Sequence, residues 1–135
     1  MAENMVVKEY LSPEMVESGA RLIAQLDEIG LPVVAAFWVF DSEANNWILR
    51  VATPDYGTVP TPDIYLKIRQ ARQTLGEQAA GVPMLGVRLA SVNDKTVRVL
   101  RNNLHTDPKV LSRVRLRKTA FDGHYMDDVL VYRAA

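Results

Sequence analysis

Val33-Val34-Ala35-Ala36-Phe37-Trp38-Val39-Phe40 carries no polar side chain, so both alternating faces of a strand built from it are apolar. Eight residues are few for a helix, and Pro32 before the run and the polar stretch 41–46 after it close both ends. A central strand covered on both sides fits this pattern, because a strand with one wet face alternates instead. Trp47-Ile48-Leu49-Arg50-Val51-Ala52 is a second β-rich run with one charge, at Arg50. Asp41-Ser42-Glu43-Ala44-Asn45-Asn46 between them is turn chemistry. The two runs therefore read as an antiparallel hairpin.

Upstream, Ser12-Pro13-Glu14 opens a helix. Serine can cap free backbone N–H groups, and proline is tolerated at the first helical position. Met15, Val16, Gly19, Ala20, Leu22, Ile23, Leu26 and Ile29 form a helical stripe, and Gly30 and Pro32 end it. The spacing predicts a helix over 12–29. Downstream, residues 53–63 hold three prolines and one glycine and read as a loop. Thr61-Pro62-Asp63 repeats the cap-plus-proline signature for a second helix, with Ile64, Ile68, Ala71 and Leu75 on one face and an end near Gly76. Gly81 and Pro83 mark a break. Residues 84–92 then read as a short strand, with Leu85, Val87 and Leu89 set against Gly86 and Arg88. Ser91 or Asn93 caps a third helix over 94–103, with Val97, Leu100 and Leu104 inward.

Asp122-Gly123 is a favoured two-residue type I′ turn, because both positions need positive φ. Counting outward from Phe121 and His124 sets Leu116 against Val129 and Val114 against Val131. On the other face Arg117 meets Asp128 and Arg113 meets Tyr132, pairings that cross-strand chemistry favours. The element order is α-β-β-α-β-α-β-β. It predicts a single α+β domain over 1–135, with a mostly antiparallel five-stranded sheet and three helices.

At 48% hydrophobic and 24% charged, the composition suits a packed core and not a disordered chain. Cysteine is absent, which removes disulfides, thiolate nucleophiles and cysteine-ligated metals. The longest apolar run falls far short of the ~20 residues of a membrane helix. The opening MAENMVVKEY carries early acids and no long apolar run. A soluble, cytoplasmic protein with no membrane partner is expected. Net charge is zero but unevenly spread: residues 1–64 hold three bases against ten acids, and residues 65–135 thirteen bases against six acids.

The sharpest functional feature lies in that basic half. Arg98, Arg101 and His105 fall at i, i+3 and i+7, and Lys109, Arg113, Arg115, Arg117 and Lys118 follow. Alternation places Arg113, Arg115 and Arg117 on one strand face, where they would neutralise phosphates in a nucleic-acid partner. The competing reading is a solvated face paired with Asp128 and with acids of the first half. No named nucleic-acid motif is present. Asp122, His124, Asp127 and Asp128, with His105 and Asp107 elsewhere, offer oxygen and imidazole ligands for a metal-dependent hydrolase. However, the turn explains Asp122, and Asp127 and Asp128 lie opposite Lys118 and Arg117. The one acid-x-Lys triplet of nuclease type, Asp107-Pro108-Lys109, falls in a loop. The stretch 41–45 lacks the glycine and closing glutamate of a calcium loop, and neither a phosphate-binding glycine loop nor a Gly-x-Ser-x-Gly elbow occurs. No catalytic residue, metal-ligand set or cofactor is assigned. The preferred expectation is a non-enzymatic binding or assembly module. If helices cover only one sheet face, the other is an apolar surface for a homodimer or protein partner.

The stretch 37–52 (FWVFDSEANNWILRVA) resembles the early hairpin of GAF-type sensory domains, and the helix before it adds to that likeness over about a third of the chain. The rest of the chain departs from that family in length and carries no ligand signature, so no binding residues transfer. The whole chain more closely resembles a group of uncharacterised bacterial proteins of this size, which implies no particular activity.

Overall fold

Ser12 caps the first helix, its side chain accepting from Met15 N at 3.2 Å with Pro13 in the opening turn. The computed structural model describes residues 10–135, so most of the opening ten-residue stretch lies outside the described residues. The helices are α1 (Pro13–Glu28), α2 (Thr61–Leu75) and α3 (Lys95–Leu104). The strands are β1 (Ala35–Asp41), β2 (Asn46–Ala52), β3 (Val87–Ala90), β4 (Val114–Phe121) and β5 (His124–Ala134). The expected α+β order holds throughout. Three local readings change. Thr61 is the first residue of α2 rather than its cap, with Pro60 in the cap position. Asp94, not Ser91 or Asn93, caps α3 by accepting from Val97 N at 3.2 Å. Residues 84–86 form a 3-10 turn, so the strand expected over 84–92 shrinks to β3 and leaves Leu85 88% exposed.

The strands lie in the order β3-β2-β1-β5-β4, which puts β1 at the centre as its doubly apolar sequence required. β1 pairs antiparallel with β2 and with β5, and β4 pairs antiparallel with β5. β3 joins β2 in parallel, because α2 carries the chain back across the sheet first. The C-terminal register agrees with the count outward from Asp122-Gly123: Val114↔Val131, Leu116↔Val129 and Arg117↔Asp128 are partners. Asp122 and Gly123 have φ of 53° and 75°, as a type I′ turn demands. Arg113 lies just before β4, and the main chain beside it stays joined through Ser112 N to Tyr132 O at 2.8 Å.

Both sheet faces are covered. On one, Ala36, Trp38, Leu49, Val51, Leu130 and Tyr132 pack with Leu22, Ile23 and Leu26 of α1 and Ile64 and Ile68 of α2. On the other, Ala35, Phe37, Ala52, Val129 and Val131 pack with Val97, Val99 and Leu100 of α3. The condition for a bare apolar sheet face, helices on one side alone, is not met.

A buried polar joint seats α1. Trp38 Nε1 donates to Tyr132 Oη at 2.8 Å, and Tyr132 Oη donates to Val16 O at 2.6 Å. A Cβ on Gly19 would stand 2.4 Å from Tyr132 Oη and 2.8 Å from Trp38 Nε1, so only glycine lets the helix approach this closely. A second joint holds the opposite end of α1. Arg133, 1% exposed, meets both oxygens of Asp27 at 2.9 Å and donates to Val33 O at 3.3 Å. It forms the floor of a cleft of about 430 Å³ with Leu31, Pro32, Pro108 and Lys109.

Candidate anion-binding cleft

The basic residues singled out in the sequence do not form one surface. Arg113, just before β4, pairs with Glu17 of α1. That hydrogen bond raises the Arg113 pKa and holds the Glu17 carboxyl below the usual carboxylate range. Arg115 meets Asp128 through Nε at 2.6 Å and Nη2 at 2.8 Å, lies over the Trp47 ring at 5.4 Å, and has its pKa raised chiefly by the Asp128 bond. Arg117 approaches the same carboxylate at 3.8 Å. Arg98 and Arg101 belong to α3, on the opposite side of the sheet, where Arg101 Nε donates to Ala135 O at 2.6 Å. Lys109 lines the Arg133 cleft, and Lys118 stands at a break in the β4–β5 ladder.

The acids and His124 are also engaged separately. His124 Nε2 meets Thr96 Oγ1 at 2.8 Å, and Asp122 accepts from Asn103 Nδ2 at 3.0 Å. Asp107 accepts from Lys109 N at 2.7 Å and Val110 N at 3.1 Å, and these main-chain donors lower its pKa. Among the described residues no three histidine, aspartate or glutamate side chains gather as a metal-binding group.

Two arginines that belong to no basic run are brought together instead. The parallel ladder places Arg50 of β2 beside Arg88 of β3 as direct partners, projecting from the same sheet face. Adjacent strands lie about 4.8 Å apart, and like charges directly opposite one another destabilise a sheet by about 0.2–1 kcal/mol. Neither guanidinium forms a salt bridge among the described residues. Arg50 is half-buried; its Nη2 donates to Leu89 O at 3.2 Å, while its Nε is buried with no hydrogen-bond partner. A buried donor of a charged group left without an acceptor is costly, and an anion in the cleft would offset that cost through its attraction to the whole guanidinium and to the exposed Arg88.

The pair opens on a cleft of about 430 Å³ lined also by Val39, Asp41, Ile48 and Tyr65. Tyr65 reaches it from α2, its hydroxyl accepting from Leu89 N at 3.1 Å. Asp41 stands at the far end: β1 pairs Phe37 with Arg50, so Asp41 lies four residues further along, about 13 Å at strand rise. Its Oδ1 is occupied by Glu43 N at 3.0 Å and Ala44 N at 3.4 Å, which anchor the hairpin turn. The lining holds no histidine, cysteine, serine or threonine. Such a set can bind and orient an anion, and it contains no serine, threonine or cysteine nucleophile and no imidazole.

No family model, curated protein or solved structure matches the chain. The sequence carried one sign of the cleft: Arg50 and Arg88 each interrupt an otherwise apolar strand. Their proximity depends on β2–β3 pairing, which local sequence does not specify.

Proposed function

We propose that the protein is a non-enzymatic binding module that takes a carboxylate or phosphate group between Arg50 and Arg88. The observation behind this reading is the in-register arginine pair, with no carboxylate partner among the described residues and one buried guanidinium N–H unsatisfied. Planar guanidinium groups suit both anions through paired, charge-assisted hydrogen bonds. Nucleic-acid binding through 98–118 has less behind it, because Arg113, Arg115 and Arg117 already face carboxylates and Arg98 and Arg101 lie across the sheet. No helix of the described residues is long and apolar enough to cross a membrane.

Titration with inorganic phosphate and with acetate, followed by NMR of arginine Nε–Hε resonances, tests the reading. Arg50 Nε–Hε should move in a saturable, salt-sensitive way. Replacing the exposed Arg88 by Ala should weaken the response about tenfold, a charge-assisted contact's worth. Equal responses of the parent and Arg88→Ala proteins would remove the arginine pair as the site.

A further inference from the structure

The arginine cleft does not end at β3. A second cleft of about 320 Å³ continues past the sheet edge, and the two share Tyr65 and Arg88 as walls. Arg69 of α2, Met84 and Leu85 complete the second one. Its lining contains no acid, and Arg69 is exposed without a salt bridge among the described residues. Leu85 is 88% exposed, the most exposed large apolar side chain among the described residues. Three guanidinium groups and an exposed leucine therefore share one edge of the molecule.

The main chain of that edge is already engaged. Leu89 N donates to Tyr65 Oη, Leu89 O accepts from Arg50, and Val87 N donates to Met84 O. A partner that added a strand would have to displace these bonds. Recognition here has to come from side chains. The charge complement of Arg50, Arg69 and Arg88 is acidic, and the complement of Leu85 and Met84 is apolar. In chain terms Arg88 lies three residues past Leu85, across a 3-10 turn and the start of a strand. That is about 8 Å at the respective rises, the span of two or three extended residues.

We infer that this edge docks a protein segment bearing adjacent acidic side chains followed, two to three residues on, by a large apolar one. The inference rests on the anion reading of the Arg50–Arg88 pair and extends it from a chemical group to a partner. A nucleic-acid strand would meet the same three cations, but Leu85 and Met84 would then lie against its charged backbone.

Fluorescence anisotropy with the full chain separates the two claims. The probe is a labelled peptide of roughly ten residues with two consecutive glutamates and a leucine three positions later. Its controls replace that leucine by serine, or the glutamates by glutamine. Leu85→Ser should weaken peptide binding about fivefold, as loss of an apolar contact does, and leave the phosphate and acetate titrations unchanged. Arg88→Ala should weaken peptide and small anions alike, and Arg69→Ala the peptide alone. Equal binding of the leucine and serine peptides, or no effect of Leu85→Ser, would overturn the docking surface while the anion site stands. Loss of the phosphate response as well would overturn both. Tighter binding of a thymidine oligonucleotide than of the peptide would overturn the partner class.

Discussion

Tyr132 shows how much a single side chain settles. Its hydroxyl is fully inside the protein, takes one hydrogen bond from Trp38 and gives one to Val16 O. Burial pushes its pKa well above the ordinary tyrosine value, because the phenolate would lose its hydration. A folded-state pKa above the unfolded one gives stability that is complete below the unfolded value and lost as pH rises beyond it. Unfolded tyrosine ionises near pH ~10, so the native protein should lose about 1.4 kcal/mol per pH unit above that point from this group alone. Tyr132→Phe should abolish that part of the alkaline slope. At neutral pH it should cost about 1–3 kcal/mol, since Trp38 Nε1 and Val16 O are left without their partner. Urea unfolding of both proteins at pH 7 and above pH 10 measures both effects; an unchanged alkaline slope would contradict the assignment.

At the scale of elements, the C-terminal hairpin departs from simple alternation at one residue. Counting by twos from Val129 would turn Asp127 and Tyr125 toward α3. Instead Met126, 4% exposed, joins that core, and Tyr125 is 58% exposed. Lys118 causes the change with a φ of 47°, and the ladder skips it between Arg117↔Asp128 and Thr119↔Met126. Both strands resume on opposite faces beyond it while the register stays the same, so the chain is kinked there without an inserted residue. A β-branched residue tolerates that backbone poorly. Lys118→Val should therefore destabilise the protein by about 1–2 kcal/mol, whereas Lys118→Gly should match or exceed the parent stability. Chemical denaturation ranks the three, and a parent-like Lys118→Val would mean that the left-handed conformation is not required. The same kink, with Arg115, Arg117 and Lys118 along β4, makes this edge a poor template for another strand.

Across the whole molecule, the opposed charges of the two halves partly meet in space. Glu17 reaches Arg113, and Asp27 reaches Arg133. The second contact ties the end of α1 to β5, while Arg133 also donates to Val33 O just before β1. Asp27→Ala would leave a guanidinium that is 1% exposed without its counter-charge, which costs about 3–5 kcal/mol. Replacing Asp27 and Arg133 together by apolar residues of similar size should cost much less, because no bare charge remains. Thermal unfolding of the single and double variants decides this, and equal losses would show that the pair's charge is not what matters.

Most of the fold was legible locally. The doubly apolar residues 33–40, the Ser12-Pro13 helix start and the Asp122-Gly123 turn each act through neighbours within a few positions, where side-chain period and φ preference leave few choices. Apolar alternation likewise determined the partners of Val114 and Leu116, since a one-residue slip would turn them to the wrong face. Tertiary structure alone decided that β3 lies parallel to β2, that α3 closes the second sheet face, that Glu17 is the acid that meets Arg113, and that Arg115 binds Asp128 more closely than its cross-strand partner Arg117 does. It also set Arg50 beside Arg88, 38 positions apart in the chain. Pairing at that distance depends on how α2 packs and returns the chain, a global balance of burial and loop closure that no local pattern encodes.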